Sequence, residues 1–266
     1  MPLMLLAVDV GNTNIVWGLY DGQSLAAHWR IATDPKKTAD EYGILFANLM
    51  ATAGFPSRRV TGAILSSVVP GLTMTFQEAI EHYFNRRAMV VTAESDTGLV
   101  LRYANPKEIG SDRLVNAAGA FHKYRRDQII VDFGTATTFC AVTKEGEYLG
   151  GVIAPGLGIS AEALFTRAAK LSKVEIARPK TVIGIDTASS IQAGLLYGYA
   201  GLVDAIVRRI EQEWGRSAFV LATGGLSAIV APETASIRKV EPMLTLEGLE
   251  LLYRRANGDE SLTVHV

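Results

Sequence analysis

The sequence predicts an α/β protein of two similar halves, and two observations carry that prediction. The first is an internal repeat. An apolar strand, Asp-x-Gly, a cluster of Thr and Asn, a second strand, a Gly turn and a third strand occur from Leu5 and again from Gln128. The second is that stretches of helical period follow each copy, the pattern of a sheet covered by helices. A chain of 266 residues has room for two such halves, which we take as 1–115 and 116–266.

Each element follows from its pattern. Residues 5–8, 15–20 and 24–30 read as three strands, with Asp21-Gly22 as the hairpin turn between the last two. Residues 38–53 place Tyr42, Leu45, Phe46, Leu49 and Met50 at helical spacing. The β-branched run 60–68 is a strand ending before Pro70, 72–84 is a helix, and 88–91 is a short buried strand. The second half opens with a helix over 110–124 whose apolar face includes Leu114, Ala117, Ala118 and Phe121. Strands follow at 128–131, 137–143 and 148–152, the last two joined by a Lys144-Glu145-Gly146-Glu147 turn. Helices are expected over 159–171 and Thr187–Trp214, a strand over 219–222 leading into Gly224-Gly225, and a closing helix over 246–255. Residues 257–266 read as a frayed or partner-dependent tail.

Composition narrows the function classes. The chain is 48% hydrophobic and 20% charged, an ordinary globular profile. A formal net charge of −1 supplies no basic field for nucleic acid or an anionic membrane. A single cysteine, Cys140, excludes an intramolecular disulfide and a Cys-based metal cluster, which fits a reducing, cytoplasmic setting. Residues 3–8 are apolar but lack a basic flank and are cut short by Asp9, so a strand is expected there, not a leader peptide. No run approaches the roughly 18–20 uninterrupted apolar residues of a membrane helix. His28, His82, His122 and His265 lack metal-ligand spacing and carry no assigned chemistry.

The paired loops carry the functional signal. Each leaves a buried strand on an Asp and turns on Gly11 or Gly134, where the missing Cβ lets backbone amides approach an anion. Asn12, Thr13, Thr135 and Thr137 add short donors. Two such turns suit a polyphosphate held from both sides. The Asp side chains would repel phosphate, so their expected task is to hold a cation or its waters. A single Asp-x-Gly-x-Thr is only a good turn, whereas two copies in matched contexts are hard to explain as turns alone.

Other nucleotide motifs do worse. No Gly-x4-Gly-Lys-Ser/Thr occurs, which excludes a P-loop. Gly156-Leu-Gly158-Ile-Ser-Ala161 matches the dinucleotide fingerprint, but Pro155 intervenes and the preceding strands are hairpin-joined, not βαβ. Thr223-Gly224-Gly225 admits two readings, a flat seat for an adenosine or a plain turn into a helix.

The motifs together resemble one family over nearly the whole chain. They are Asp9-Val10-Gly11-Asn12-Thr13-Asn14-Ile15-Val16, Tyr103-Ala-Asn-Pro106, Gly110-Ser111-Asp112-Arg113-Leu-Val-Asn116, Asp132-Phe-Gly-Thr-Ala-Thr-Thr138 and Thr187 within Gly184-Ile-Asp-Thr-Ala-Ser-Ser-Ile-Gln192. In that order the chain resembles type III pantothenate kinases, of the acetate-and-sugar-kinase, heat-shock-70 and actin superfamily. The resemblance implies two actin-like (ribonuclease H-like) halves with mixed sheets and an ATP cleft between them. It implies ATP-dependent phosphorylation of pantothenate, Mg2+ with ATP, and a homodimer with no nucleic-acid or membrane partner. It makes Asp9 to Val16 the first ATP loop, Thr135 a phosphate contact, and Asp132 the holder of a monovalent cation, K+ or NH4+. Tyr103, Gly110, Ser111, Asp112 and Arg113 match pantothenate-binding positions. Asp112 falls on the proton acceptor, and Thr187 on a contact made from the neighbouring subunit. Cys140, Ser111 and Asp186 stand where the family more often has Asp, Ala and Asn.

Read from physics alone, Asp112 lies in the first turn of a helix, where the macrodipole favours the ionised carboxylate. Taken alone, helix-start stabilisation is the stronger reading of Asp112, and ordinary packing explains Tyr103 and a surface ion pair Arg113.

Overall fold

Near-continuous apolar runs along the first two strands, followed by an alternating third, build the first sheet. The computed structural model describes residues 4–168, 171 and 173–259. β1 (Met4–Val10), β2 (Asn14–Asp21) and β3 (Ser24–Ala32) form an antiparallel meander. Its hairpin turns on Gly22 and Gln23, one residue later than expected, and Gly22 takes the positive φ of +59°. Then come α1 (Ala39–Thr52), β4 (Val60–Ser67), α2 (Pro70–Phe84) and β5 (Ala88–Val90). β4 runs parallel to β1, and β5 parallel to β4, so the sheet order is β3-β2-β1-β4-β5. Thr38 and Glu41 form a capping box that starts α1. Pro70 is the first residue of α2, where its missing N–H costs nothing.

β6 (Val100–Leu101) and α3 (Ser111–Tyr124) precede the second meander, β7 (Gln128–Phe133), β8 (Ala136–Val142) and β9 (Glu147–Pro155). α4 (Leu157–Arg167), α5 (Thr187–Trp214), β10 (Phe219–Thr223), α6 (Ser227–Val230), β11 (Lys239–Val240) and α7 (Leu244–Ala256) complete the order. The second sheet is β11-β10-β7-β8-β9-β6. Read from β9 to β11 it repeats the first sheet strand for strand, with β6 added beside β9. The repeat seen in the hairpins therefore extends to the parallel strands that follow them, and both sheets are mixed.

The chain divides into two compact units. One comprises Met1–Leu99, Ala104–Gly119 and Leu244–Val266, the other Val100–Tyr103 and Ala120–Met243. This grouping differs from a single cut at 115/116, because α7 belongs with the first sheet. The pattern of 246–255 shows an amphipathic helix but not which sheet it covers. Contacts decide: a Cβ on Gly62 would strike the Tyr253 ring, and one on Gly18 would strike Leu246.

In the first unit, one sheet face packs Met4, Leu6, Val8, Val10 and Trp17 against Phe46, Met50 and Phe76 of α1 and α2. Trp17 stacks on Phe46 at 3.7 Å between ring centroids. α7 also crosses α3 at Gly119 and Gly248, where a Cβ on Gly248 would lie 2.4 Å from the Val115 carbonyl oxygen. Gly248→Ala is therefore expected to destabilise the protein by about 1–3 kcal/mol through overpacking. Thermal unfolding checks it, and an unchanged midpoint would show that the crossing can relax.

In the second unit, Ile129, Val131, Phe133 and Phe139 pack against Leu196, Tyr199, Val203 and Val207 of α5. By length and composition α5 could cross a membrane, but this buried face accounts for its apolar content.

Three sequence expectations shift. β1 and β7 continue through Asp9 and Asp132, because ladder pairing with the neighbouring strands does not depend on the side chain. The helix expected over 159–171 ends at Arg167, with 169 and 170 outside the described residues. β6, α6 and β11 are too short to show a period. His265 and residues 260–266 of the expected tail also lie outside the described residues.

Candidate active site

The first loop is built by three strands ending together. Asp9 pairs with Val16 of β2 and with Ser66 of β4, and Val10 pairs with Ile15 and Ser67. The loop itself is Gly11, Asn12 and Thr13, with Asn12, Thr13 and Asn14 exposed. The Gly11 N–H donates to the Asn14 carbonyl at 3.0 Å, and the Thr33 hydroxyl donates to the Gly11 carbonyl at 2.6 Å. Gly11 has no positive φ, and a Cβ there would sit 3.0 Å from the Asn14 carbonyl oxygen. Its glycine thus serves close approach of backbone, not a strained turn. Ile15 and Val10 are core residues, so only their backbone faces the loop.

The same strand ends receive the start of α3. The Ser111 hydroxyl lies 3.0 Å from that of Ser66, accepts the Ser67 N–H at 3.1 Å, and lies 3.1 Å from the Ser67 carbonyl. Ser111 thereby pins the helix start to β4, beside the strand that carries Asp9. This bonding accounts for the serine hydroxyl here. Asp112 follows, half-buried, its carboxylate accepting the Arg113 N–H at 2.7 Å. A Cβ on Gly110 would lie 2.6 Å from that carboxylate, so glycine makes the space it occupies.

The expectation from the helix macrodipole is overturned in direction. Burial pushes the Asp112 carboxyl above its ordinary value, only partly opposed by the Arg113 N–H and positive charge. Desolvation outweighs the dipole because the charge leaves water on several sides at once. A carboxylate so raised is a stronger base than an exposed one. Arg113 is itself buried, which removes the surface-ion-pair reading of that residue.

The second loop has the same plan. Asp132 pairs with Thr138 and with Thr223 of β10, as Asp9 pairs with Val16 and Ser66. Gly134 and Thr135 form the turn. Gly224 has φ +89°, and a Cβ on it would lie 2.4 Å from the Asp132 carboxylate and 2.7 Å from Phe133 backbone. Gly224 therefore admits the Asp132 side chain, a role neither sequence reading gave it. Gly156, at the start of α4, makes similar room for the Thr135 carbonyl, 2.1 Å from where its Cβ would be. Since β9 leads into α4 from an antiparallel meander, these glycines do not form a dinucleotide fingerprint. Thr137 is buried and its hydroxyl bonds Tyr199 at 2.6 Å, so it faces the core instead of the loop.

The expected pantothenate-binding residues divide between the two units. Tyr103 belongs to the second unit and 110–113 to the first. Its half-buried ring packs on Tyr148 and over Gly150. Cys140 is buried and takes a bond from the Tyr148 hydroxyl at 3.3 Å, the small apolar role expected of it. Thr187 is exposed as the first residue of α5, capped by Asp186 through the Ser189 N–H at 2.7 Å. Asp and Asn cap equally well, so Asp186 keeps that function. Sequence reasoning missed Ser66, Ser67 and Tyr199. The two serines had a usable signal, as small polar residues closing an apolar strand at the place Thr223 occupies in the repeat.

Known proteins match this chain in sequence and in fold. A family model described as Type III pantothenate kinase matches residues 5–209. A Type III pantothenate kinase of Syntrophus aciditrophicus is 52% identical over 252 residues, covering 95% of this chain and 99% of the relative. Among solved structures, a Baf family transcriptional activator from Campylobacter jejuni aligns with TM-score 0.58 at 16% identity, covering 95% of this chain and 98% of that one. A ROK family glucokinase from Streptomyces griseus, solved with glucose and AMPPNP, aligns with TM-score 0.55 at 12% identity, covering 95% and 99%. At these identities the two structures show the fold, that of actin-like sugar kinases, and no more.

Proposed function

The chain belongs to the type III pantothenate kinase family, and from that membership we propose that it transfers the γ-phosphoryl group of ATP to the primary hydroxyl of pantothenate. The product is 4′-phosphopantothenate, at the first step of coenzyme A biosynthesis. The observation that carries a mechanism is the raised, half-buried Asp112 pinned through Ser111 to the strand ends beside the Asp9 loop.

Asp112 takes the hydroxyl proton, the pantothenate oxygen bonds to the γ-phosphorus, and the bond to the bridging oxygen breaks with its electron pair leaving on ADP. Asp9, Val10, Gly11, Asn12, Thr13, Asn14, Ile15 and Val16 form the ATP loop, through exposed amides and short side chains at its turn. Thr135 is a further phosphate contact. Gly110, Ser111, Arg113 and Tyr103 bind pantothenate, with Arg113 paired to its carboxylate and Ser111 acting through backbone. Mg2+ arrives with ATP, bound mainly by phosphate oxygens.

A monovalent cation, K+ or NH4+, is assigned to Asp132. The residues suit it, as a half-buried carboxylate near the end of the interior strand β7, beside the Gly224 backbone, offers hard oxygen donors. Such an ion would offset phosphate charge.

We extend the proposal to a homodimer in the cytoplasm, with Thr187 reaching the partner's substrate. Val182, Ile183 and Ile185, just before Thr187, are 67%, 83% and 94% exposed. A groove of about 750 Å³ lined by Leu164, Leu171, Ile185, Ile191 and Leu195 adjoins them. Exposed apolar surface of this kind supports burial against a second copy. Nucleic acid and membrane have no part in the reaction.

The test is purified protein with ATP, Mg2+, K+ and pantothenate, following ADP and the mass of the product. Phosphopantothenate is expected. ATP binding without phosphoryl transfer, or turnover on another alcohol or acid but not pantothenate, would overturn the assignment.

A further inference from the structure

We propose that Tyr199 of α5 is a positioning residue for the second phosphate loop, holding Thr135 in place for ATP through one hydroxyl shared between β8 and β9. The Tyr199 hydroxyl lies 2.6 Å from the Thr137 hydroxyl and 2.5 Å from the Pro155 carbonyl oxygen. A carbonyl only accepts, so the single phenolic proton goes to Pro155 and Thr137 donates to Tyr199. The two partners bracket the loop. Thr137 pairs with Phe133 across the Gly134-Thr135 turn, and Pro155 pairs with Ala136 and precedes Gly156. Gly156 in turn packs where the Thr135 carbonyl sits. The ring is buried against Phe133, which fixes where the hydroxyl points. Burial also raises the Tyr199 pKa, which keeps the proton the Pro155 bond requires.

The loop lies at the end of a meander, where a tie between β8 and β9 holds the base of the turn. Tyr199 supplies that tie from a helix more than forty residues further along the chain. Its loss leaves the Pro155 carbonyl without this donor and lets the turn relax, without removing any group that touches substrate.

The inference rests on the phosphoryl-transfer reading above, and the experiment separates the two. Tyr199→Phe keeps the ring and removes only the hydroxyl. Its KM for ATP is expected to rise roughly tenfold, with KM for pantothenate within about twofold of wild type. Thr137→Val, which removes the partner hydroxyl at similar volume, should shift the same constant. The double variant should add less than the two single effects, because both break one network. A lowered melting temperature with both KM values unchanged would reduce Tyr199 to a core residue and overturn the proposal. So would equal rises in both KM values. Should Tyr199→Phe fail to fold, Thr137→Val decides by the same readings. Each variant is also titrated with ATP by calorimetry. If the wild-type protein does not phosphorylate pantothenate, weaker ATP binding by the variants still supports the Tyr199 role, and equal binding overturns it.

Discussion

Asp112→Asn is expected to lower kcat by roughly 10²–10⁴-fold, the contribution of a positioned general base, with ATP binding close to wild type. The same substitution should not destabilise the protein. The Asp112 carboxyl is raised in the folded state by burial, so folding favours its protonated form. The stability it contributes is fully present below its unfolded value and is lost as pH rises through the raised folded value. Above that raised value the ionised, half-buried carboxylate is thus a cost, and a neutral Asn removes it. The variant is expected to melt at or above the wild-type temperature at pH 7, and the gap should close on acidification. Activity runs the other way. A base must be deprotonated, so wild-type kcat/KM should fall as pH drops through the raised value, on a limb above the ordinary carboxylate range. That limb should be absent from the residual activity of the variant. A less stable Asp112→Asn with near-normal turnover would make the residue a helix-start stabiliser and nothing more.

Gly224→Ala is expected to impair the second loop more than its size suggests. The φ of +89° lies in the region that costs an L-residue about 1–2 kcal/mol. The new methyl would also sit 2.4 Å from the Asp132 carboxylate and 2.7 Å from Phe133 backbone, so the carboxylate must move. If Asp132 holds the monovalent cation, the variant should lose at least about tenfold in turnover at fixed K+ and need more K+ for half-activation. On an Asp132→Asn background, Gly224→Ala should still lower the melting temperature but add little further loss of K+ response. An unchanged K+ dependence in the single variant would remove the cation from Asp132.

The contrast between Asp112 and Asp132 shows how far local reasoning reaches. Both were found from sequence as acids at defined places, one after a helix start and one at a strand end. The direction of the Asp112 shift was misjudged, because a helix terminus is visible in sequence and desolvation is not. Burial depends on β4 arriving beside β1 and on Ser111 bonding there, pairings between residues 44 and 45 positions apart. Gly224 was read as a seat for a base or as a turn. Its observed task depends on Asp132 across the β7–β10 ladder, which no window of sequence contains.

The sequence alone determined the repeated meander, the helices with a clear period, the two Asp-x-Gly loops and the family. These rest on side-chain alternation and short-range turn chemistry, which act within a few residues. Only the tertiary structure decided which sheet α7 covers, that each meander continues into equivalent parallel strands, and that Asp9 and Asp132 lie inside strands. It also decided that Ser111 bonds the end of β4, that Gly224 makes room for the Asp132 side chain, and that the Tyr199 hydroxyl meets Thr137 and Pro155. Those outcomes come from contacts between distant segments, where steric fit and desolvation outweigh any local preference.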